Sequence, residues 1–225
     1  LGAQVIAHGQ HWHVYEERAR LIFQDETGLI DLPLPNLPGA HQVQNAGAAL
    51  AALRHLGFGD EAFEACVTNA YWPARMQRLK TGSLAYIANA KGAELWLDGG
   101  HNAGAGEVLA SGLGQMAGAG DRPLVLISAF SANKDAVAYF QYFTGLASRV
   151  IAITFAVGRE GSQTAQAVAE AARRAEIPAQ TSAGLTEALH DALEDYDQPR
   201  IVICGSLYLA GEALALDDGA QVQST

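Results

Sequence analysis

The chain has 225 residues, 49% of them apolar and 17% charged, which suits a globular chain with room for one large domain or for one domain plus part of another. Fourteen Lys and Arg against twenty-four Asp and Glu leave a formal net charge of −10 with no basic stripe to offset it, which argues against a footprint built on neutralising nucleic-acid phosphates. Cys66 and Cys204, the two cysteines, lie in apolar stretches outside any CxxC or Cys/His spacing, so neither a disulfide framework nor a structural zinc site is expected. No apolar run approaches the roughly 20 residues of a membrane-spanning helix, and the first residues lack a basic region followed by an apolar one. The expected compartment is the cytoplasm. Residue 1 is Leu and the first forty residues read as the middle of a domain, so we expect a piece of a longer chain.

From Gly2 to Leu34, QVIAH, HWHVYEE, ARLIFQ and GLIDLPL are short β-branched or aromatic runs separated by Gly9-Gln10 and Asp25-Glu26-Thr27-Gly28. This is the pattern of hairpins at a sheet edge. Pro33, Pro35 and Pro38 then stop strand pairing, and from His41 the apolar period turns helical, with Val43, Ala46, Leu50 and Leu53 on one stripe up to Gly57. A second helix is predicted over about 60–70, opened by Asp60 as N-cap. Pro73 disfavours helix in the residue ahead of it, and Tyr71 and Trp72 are expected to pack at a junction. The domain boundary falls here, dividing the chain into 1–72 and 73–225.

Downstream, predicted strands at 83–90, 94–97, 124–129, 150–155 and 200–204 are interspersed with predicted helices at 103–117, 136–146, 162–175, 185–194 and 207–214. LVLIS, RVIAITF and RIVIC are near-continuous apolar runs, as a parallel sheet buried on both faces demands. The predicted fold class is α/β: a doubly wound, mostly parallel sheet preceded by hairpins and helices. Ligands of such sheets sit beyond the carboxyl ends of the strands.

At the first such end, Asp98-Gly99-Gly100-His101-Asn102 leads straight into a helix and puts a carboxylate, an imidazole and an amide at one turn. The two glycines let the backbone approach a ligand, and the helix N-terminus offers free N–H groups. The plainer alternative is that Asp98 or Asn102 caps the helix and His101 is a surface residue. Gly104 and Gly106 begin a GxG, but position 109 is Leu, so the dinucleotide fingerprint fails. GxxxxGK[ST] is absent as well, since Gly158-Arg159-Glu160-Gly161-Ser162 has no lysine after its second glycine.

Arg75, in the connection between the domains, can donate to a phosphate or a sugar or be a solvated linker residue. Asn133-Lys134-Asp135 follows a second strand and Gly205-Ser206 a third, where turn and cap chemistry is the alternative. Asn45, four residues after His41, shares its helix face, and its amide carries both the donor and the acceptor needed to read an adenine edge. His8, His11, His13, His55 and His190 have no carboxylate or cysteine at ligand spacing and are read as structural or solvated.

In this order, LPLPNLPGAHQVQNAGAALAAL (32–53), WPARMQRL (72–79), LWLDGGHN (95–102), NKD (133–135) and ICGSLYLAGEAL (203–214) resemble the folylpolyglutamate synthase and dihydrofolate synthase family, a branch of the Mur ligases. DGGHN and CGSLYLAGE are the specific pieces, and the second separates this branch from the peptidoglycan-building ligases. The resemblance implies an ATP-dependent amide ligase that joins L-glutamate to dihydropteroate or a folate. In that family ATP phosphorylates the carboxylate, Mg²⁺ neutralises the phosphates, and the amine of glutamate attacks the acyl phosphate.

Carried over by resemblance, Asn45 contacts adenine, Arg75 the phosphates or ribose, and Asp98 the ribose hydroxyls. His101, Lys134 and Asp135 are the implied catalytic residues, with Asn102 and Ser206 on the substrate. The chain departs from the family at Ala74, where glycine is usual, at Ala103, where proline is usual, and at Ala129-Phe130-Ser131, where a small-residue Gly-Met-Leu pattern is usual. The family's phosphate loop, Mg²⁺ ligands and modified lysine belong to a segment that this sequence does not contain. The resemblance therefore implies the end of an ATPase domain (1–72) joined to a Rossmann-like ligase domain (73–225), inactive alone, acting as a monomer on small molecules without nucleic-acid or membrane partners. The rivals are a non-catalytic nucleotide- or glutamate-binding module and, less well matched, an NAD-type oxidoreductase.

Overall fold

The computed structural model describes residues 2, 4–117, 122–156 and 161–218. Gly158, Arg159 and Glu160, inspected above for a phosphate loop, lie outside them. The chain divides into two compact units, Leu1–Pro73 and Ala74–Thr225.

The first unit is an antiparallel meander backed by two helices. Strands β1 (Trp12–Glu17), β2 (Arg20–Asp25) and β3 (Gly28–Pro33) pair in sequence order, Trp12 opposite Asp25 and Arg20 opposite Pro33. Trp12 and Val14 point inward while His13 and Tyr15 point out, the period of two that a half-buried strand requires. Helix α1 (His41–His55) lays Val43, Ala46 and Leu50 against them, and α2 (Asp60–Thr68) adds Phe63 and Val67.

Three expectations fail in this unit. The 4–8 run is not a strand: Val5 is exposed, so the run has no buried face to reward pairing, and only His8 makes an isolated bridge to Trp12. Asp60 is not the N-cap of α2 but its first residue, with Gly59 at the cap position; its charge still complements the helix dipole there. Tyr71 and Trp72 are exposed rather than packed.

The second unit is a three-layer α/β/α sandwich. Its six-stranded sheet has the order β4-β5-β9-β6-β7-β8, from β4 (Gln77–Leu79), β5 (Glu94–Leu97), β6 (Leu124–Ser128), β7 (Arg149–Ala152), β8 (Ala179–Thr181) and β9 (Arg200–Cys204). Only the edge strand β4 is antiparallel. Helices α3 (Ser83–Ala90), α7 (Leu185–Asp195) and α8 (Leu207–Asp217) cover one face, meeting Leu95, Leu97, Val125, Ile127, Ile151, Ile201 and Ile203. Helices α4 (Ala103–Ala117), α5 (Ala136–Phe140) and α6 (Ala165–Arg174) cover the other, meeting Leu124, Leu126, Val150, Ala152, Val202 and Cys204. Successive residues of each strand thus serve opposite layers, which is why LVLIS and RIVIC carry no polar face.

Residues 83–90 form helix α3, not the predicted strand. Leu84, Ala85 and Ala88 bury one helical stripe, and the Asp217 carboxylate, from the far end of the unit, accepts the Ala85 N–H at 3.0 Å. The predicted helix 136–146 stops at Phe140 and tightens into a 3₁₀ turn over Gln141–Phe143. Strands β4 and β8, three residues each, were not predicted.

Candidate functional site

In the sheet order, β9 inserts between β5 and β6, so the carboxyl ends of these three strands stand side by side. Asp98 follows β5 and Gly205 follows β9 directly, and the turn holding Lys134 and Asp135 lies a few residues beyond the end of β6. The first two ends are knitted together: Asp98 N–H donates to the Ile203 carbonyl at 2.9 Å and Gly205 N–H to the Gly100 carbonyl at 3.1 Å. The segment preceding β4 joins them, because Gly99 N–H donates to the Ala74 carbonyl at 2.9 Å.

Asp98 is the centre of this knot and is only 8% exposed. Its Oδ1 accepts the Gly100 N–H at 2.7 Å and its Oδ2 the Met76 N–H at 2.9 Å, so two backbone donors fix the orientation of the carboxylate. Arg75 sits between residues in the left-handed backbone region, Ala74 at φ 55° and Met76 at φ 43°. Left-handed backbone costs an L-residue about 1–2 kcal/mol, so Ala74 holds this turn with strain. The Arg75 guanidinium donates to the Ala74 carbonyl at 3.0 Å and lies over Gly99, 3.2 Å from where a Cβ would stand. Leu207 closes the other side of Gly99, 2.4 Å from that same point. Lack of a side chain at Gly99 therefore serves the approach of α8 and Arg75.

The remaining residues divide by task. His101, half-buried, pairs Nδ1 with the Gly99 carbonyl at 3.2 Å. A carbonyl only accepts, so Nδ1 carries the proton in this contact, which leaves Nε2 as the ring nitrogen able to act as a base. Asn102, Asp135 and Ser206 all cap helices: Asn102 Oδ1 accepts from Ala105 N–H at 2.9 Å, Asp135 Oδ1 from Ala138 N–H at 3.0 Å, and Ser206 Oγ from Tyr208 N–H at 3.1 Å. Capping was the alternative for each. Lys134 has its backbone clamped, N–H to the Ser131 carbonyl and carbonyl to Gln163 Nε2 at 2.7 Å, while its ammonium has no ion-pair partner among the described residues. Asn45 belongs to the first unit; it is exposed on α1 and donates to Gln42 Oε1 at 3.0 Å.

Beneath the strand ends lies a polar layer that the sequence did not reveal. Ser128 Oγ and Cys204 Sγ, register partners on β6 and β9, are 3.3 Å apart and fully buried. Tyr139 from α5 joins them without an oxygen or nitrogen partner for its hydroxyl. Burial pushes the Tyr139 phenol well up and the Cys204 thiol up to about 11. Both stay neutral, which removes Cys204 as a nucleophile. Its signal in sequence is only an apolar strand ending in cysteine. Among the described residues no group of three or more His, Cys, Asp or Glu is placed to hold a metal ion, and no helix is long and apolar enough to cross a membrane.

Comparison with known proteins adds to this geometry. A family model described as dihydrofolate synthetase, C-terminal domain, matches residues 82–216, more than half of the chain. No curated protein matches. Among solved structures, E. coli FolC in complex with DHPP and ADP is similar at TM-score 0.75 and 20% identity, over 94% of this chain and 47% of that one. Mycobacterium tuberculosis folylpolyglutamate synthase complexed with ADP is similar at 0.73 and 23%, over 96% and 49%. A bifunctional folylpolyglutamate synthase/dihydrofolate synthase with Mn, AMPPNP and L-glutamate bound is similar at 0.75 and 22%, over 96% and 48%. At these identities the likeness is one of fold, and the chain spans about half the length of each.

Proposed function

The chain belongs to the dihydrofolate synthetase C-terminal domain family, and from that premise we propose that it is the carboxy-terminal part of an ATP-dependent ligase that joins L-glutamate to dihydropteroate or a folate. The observation that supports this most is the knot at the ends of β5 and β9, which fixes one buried carboxylate, one guanidinium and one basic imidazole nitrogen around a single turn.

A carboxylate held by two backbone donors is suited to receive ribose hydroxyls, the role we give Asp98. Arg75, between two residues of strained backbone, supplies a planar cation for phosphate oxygens, and Asn45 supplies a paired donor and acceptor for the adenine edge. Lys134 places a positive charge beyond β6, where a transferring phosphoryl group would gain from it. The carboxylate of the acceptor substrate has a poor leaving group until it is phosphorylated; the amine of glutamate must then lose a proton as it attacks, and His101 Nε2 is the base this chain offers. Asp135, Asn102 and Ser206 hold helix starts in place around that reaction. Mg²⁺, which in such chemistry neutralises phosphate charge, finds no fitting donor set among the described residues, so no step is routed through it.

Because the sequence has no phosphate loop, we further propose that the 225 residues are a fragment and turn over nothing by themselves. Incubation with ATP, glutamate and dihydropteroate should yield no product; product above background refutes that part. In the longer ligase, Arg75→Ala should raise KM for ATP about tenfold or more, since a hydrogen bond to a charged group is worth about 1.5–3 kcal/mol. An unchanged KM would take Arg75 out of the site. Tight ATP binding by the 225 residues alone would favour a non-catalytic nucleotide-binding module instead.

A further inference from the structure

At the opposite, amino-terminal end of the sheet, one carboxylate is shared by three guanidiniums. Glu94, the first residue of β5, receives Arg200 Nε from the start of β9 at 2.8 Å on Oε2. Its other oxygen faces Arg78 of β4 at 3.3 Å and Arg122, just ahead of β6, at 4.0 Å. Arg200 is nearly buried and Glu94 only 15% exposed, whereas Arg78 and Arg122 retain 37% and 30% of their side-chain exposure. Among the described residues neither Arg78 nor Arg122 has a second carboxylate within 4.0 Å. The cluster thus carries two uncompensated positive charges in a chain whose net charge is −10.

Its parts are held rigidly. Arg122 donates to the Gly92 and Gln198 carbonyls at 2.7 and 2.9 Å, and the Arg78 guanidinium lies over the Trp96 ring, 5.6 Å from its centroid. Both cations approach the same Glu94 oxygen, so they are close enough for one small anion to bridge them. Each guanidinium has five N–H donors in a planar fork that matches a carboxylate or a phosphate, and those not used above remain for a ligand.

We infer that Arg78 and Arg122, anchored by Glu94 and Arg200, form a binding site for a small oxyanion, on the end of the sheet away from Asp98 and independent of the ligase reading. The test is a backbone-amide NMR titration of the 225-residue chain with sodium phosphate and, separately, with sodium glutarate, against sodium chloride at matched ionic strength. Saturable shifts at 78, 94, 122 and 200 with either oxyanion but not with chloride are expected, and the tighter of the two identifies the ligand class. Arg78→Gln, at an exposed position, and Arg122→Gln, at a half-buried one, should each raise the dissociation constant at least tenfold. Equal shifts with chloride, shifts confined elsewhere, or unchanged affinity in the two variants would overturn the site. Should either variant lose its fold, the wild-type titration decides alone.

Discussion

Substitution of Gly205 by alanine tests the knot between the strand ends. Gly205 has φ +101°, and a Cβ there would stand 2.7 Å from the Ala129 carbonyl oxygen and 2.8–2.9 Å from the Phe130 ring. The backbone conformation costs an L-residue about 1–2 kcal/mol, and overpacking against a carbonyl and a fully buried ring costs typically about 1–3 kcal/mol. We expect Gly205→Ala to destabilise the second unit by about 2–5 kcal/mol on those two grounds. Gly114→Ala is the control: it lies in α4 with nothing within 4 Å of the added carbon, so helix propensity should stabilise by about 0.5–1 kcal/mol. Urea unfolding followed by fluorine NMR of 5-fluorotryptophan reads the second unit through Trp96, the tryptophan it contains, while Trp12 and Trp72 report the first. Because Gly205 N–H donates to the Gly100 carbonyl, the amides of 98–100 should shift in the folded variant. A loss below about 1 kcal/mol for Gly205→Ala, less than either cost alone, would refute the close packing of this turn.

Three further outcomes follow from the same contacts. Burial alone would raise the Glu94 carboxyl, but hydrogen bonds from Arg200 and Trp96 and the charges of Arg200 and Arg78 hold it below its ordinary value of 4.5. Its stabilisation is therefore complete above that value and lost as pH falls through the lower folded one; Glu94→Gln should flatten this acid limb in urea midpoints measured from pH 6 to 3, and an identical limb would contradict it. Asp217→Ala removes the carboxylate that accepts the Ala85 N–H and should cost about 0.5–2 kcal/mol, as N-cap losses do, with faster hydrogen exchange at the start of α3 and little change in α7. With its thiol pushed up to about 11, Cys204 is thiolate in only about one molecule per thousand at pH 8; iodoacetamide should label Cys66 in the folded chain and Cys204 only in urea, by mass spectrometry, and quick labelling of folded Cys204 would contradict its burial.

The core of the second unit was legible because strands buried on both faces leave a compositional mark: LVLIS and RIVIC can be little else than central parallel strands. Helix α3 was not, because SLAYIANA is short and apolar enough to suit either structure, and its helical start is satisfied by Asp217, 132 residues away. Strands β4 and β8 escaped notice since three residues at a sheet edge carry no period. Asp98 and His101 stood out as polar groups after an apolar strand. What orients them did not, since the Met76 N–H and the Gly99 carbonyl are backbone groups with no signature in side-chain pattern. The Arg78, Glu94, Arg122 and Arg200 cluster was invisible for another reason: its members come from four separate segments that only sheet register brings together.

The most direct measurement of the central claim is equilibrium binding of ADP to the longer ligase carrying this segment, as wild type, Asn45→Ala and Arg75→Ala. Both residues sit where substitution leaves their unit's core intact, Asn45 exposed on α1 and Arg75 half-buried at the turn. The account predicts a dissociation constant raised about tenfold or more by each, the equivalent of roughly 1.4 kcal/mol per lost contact. Wild-type affinity in both variants would contradict it.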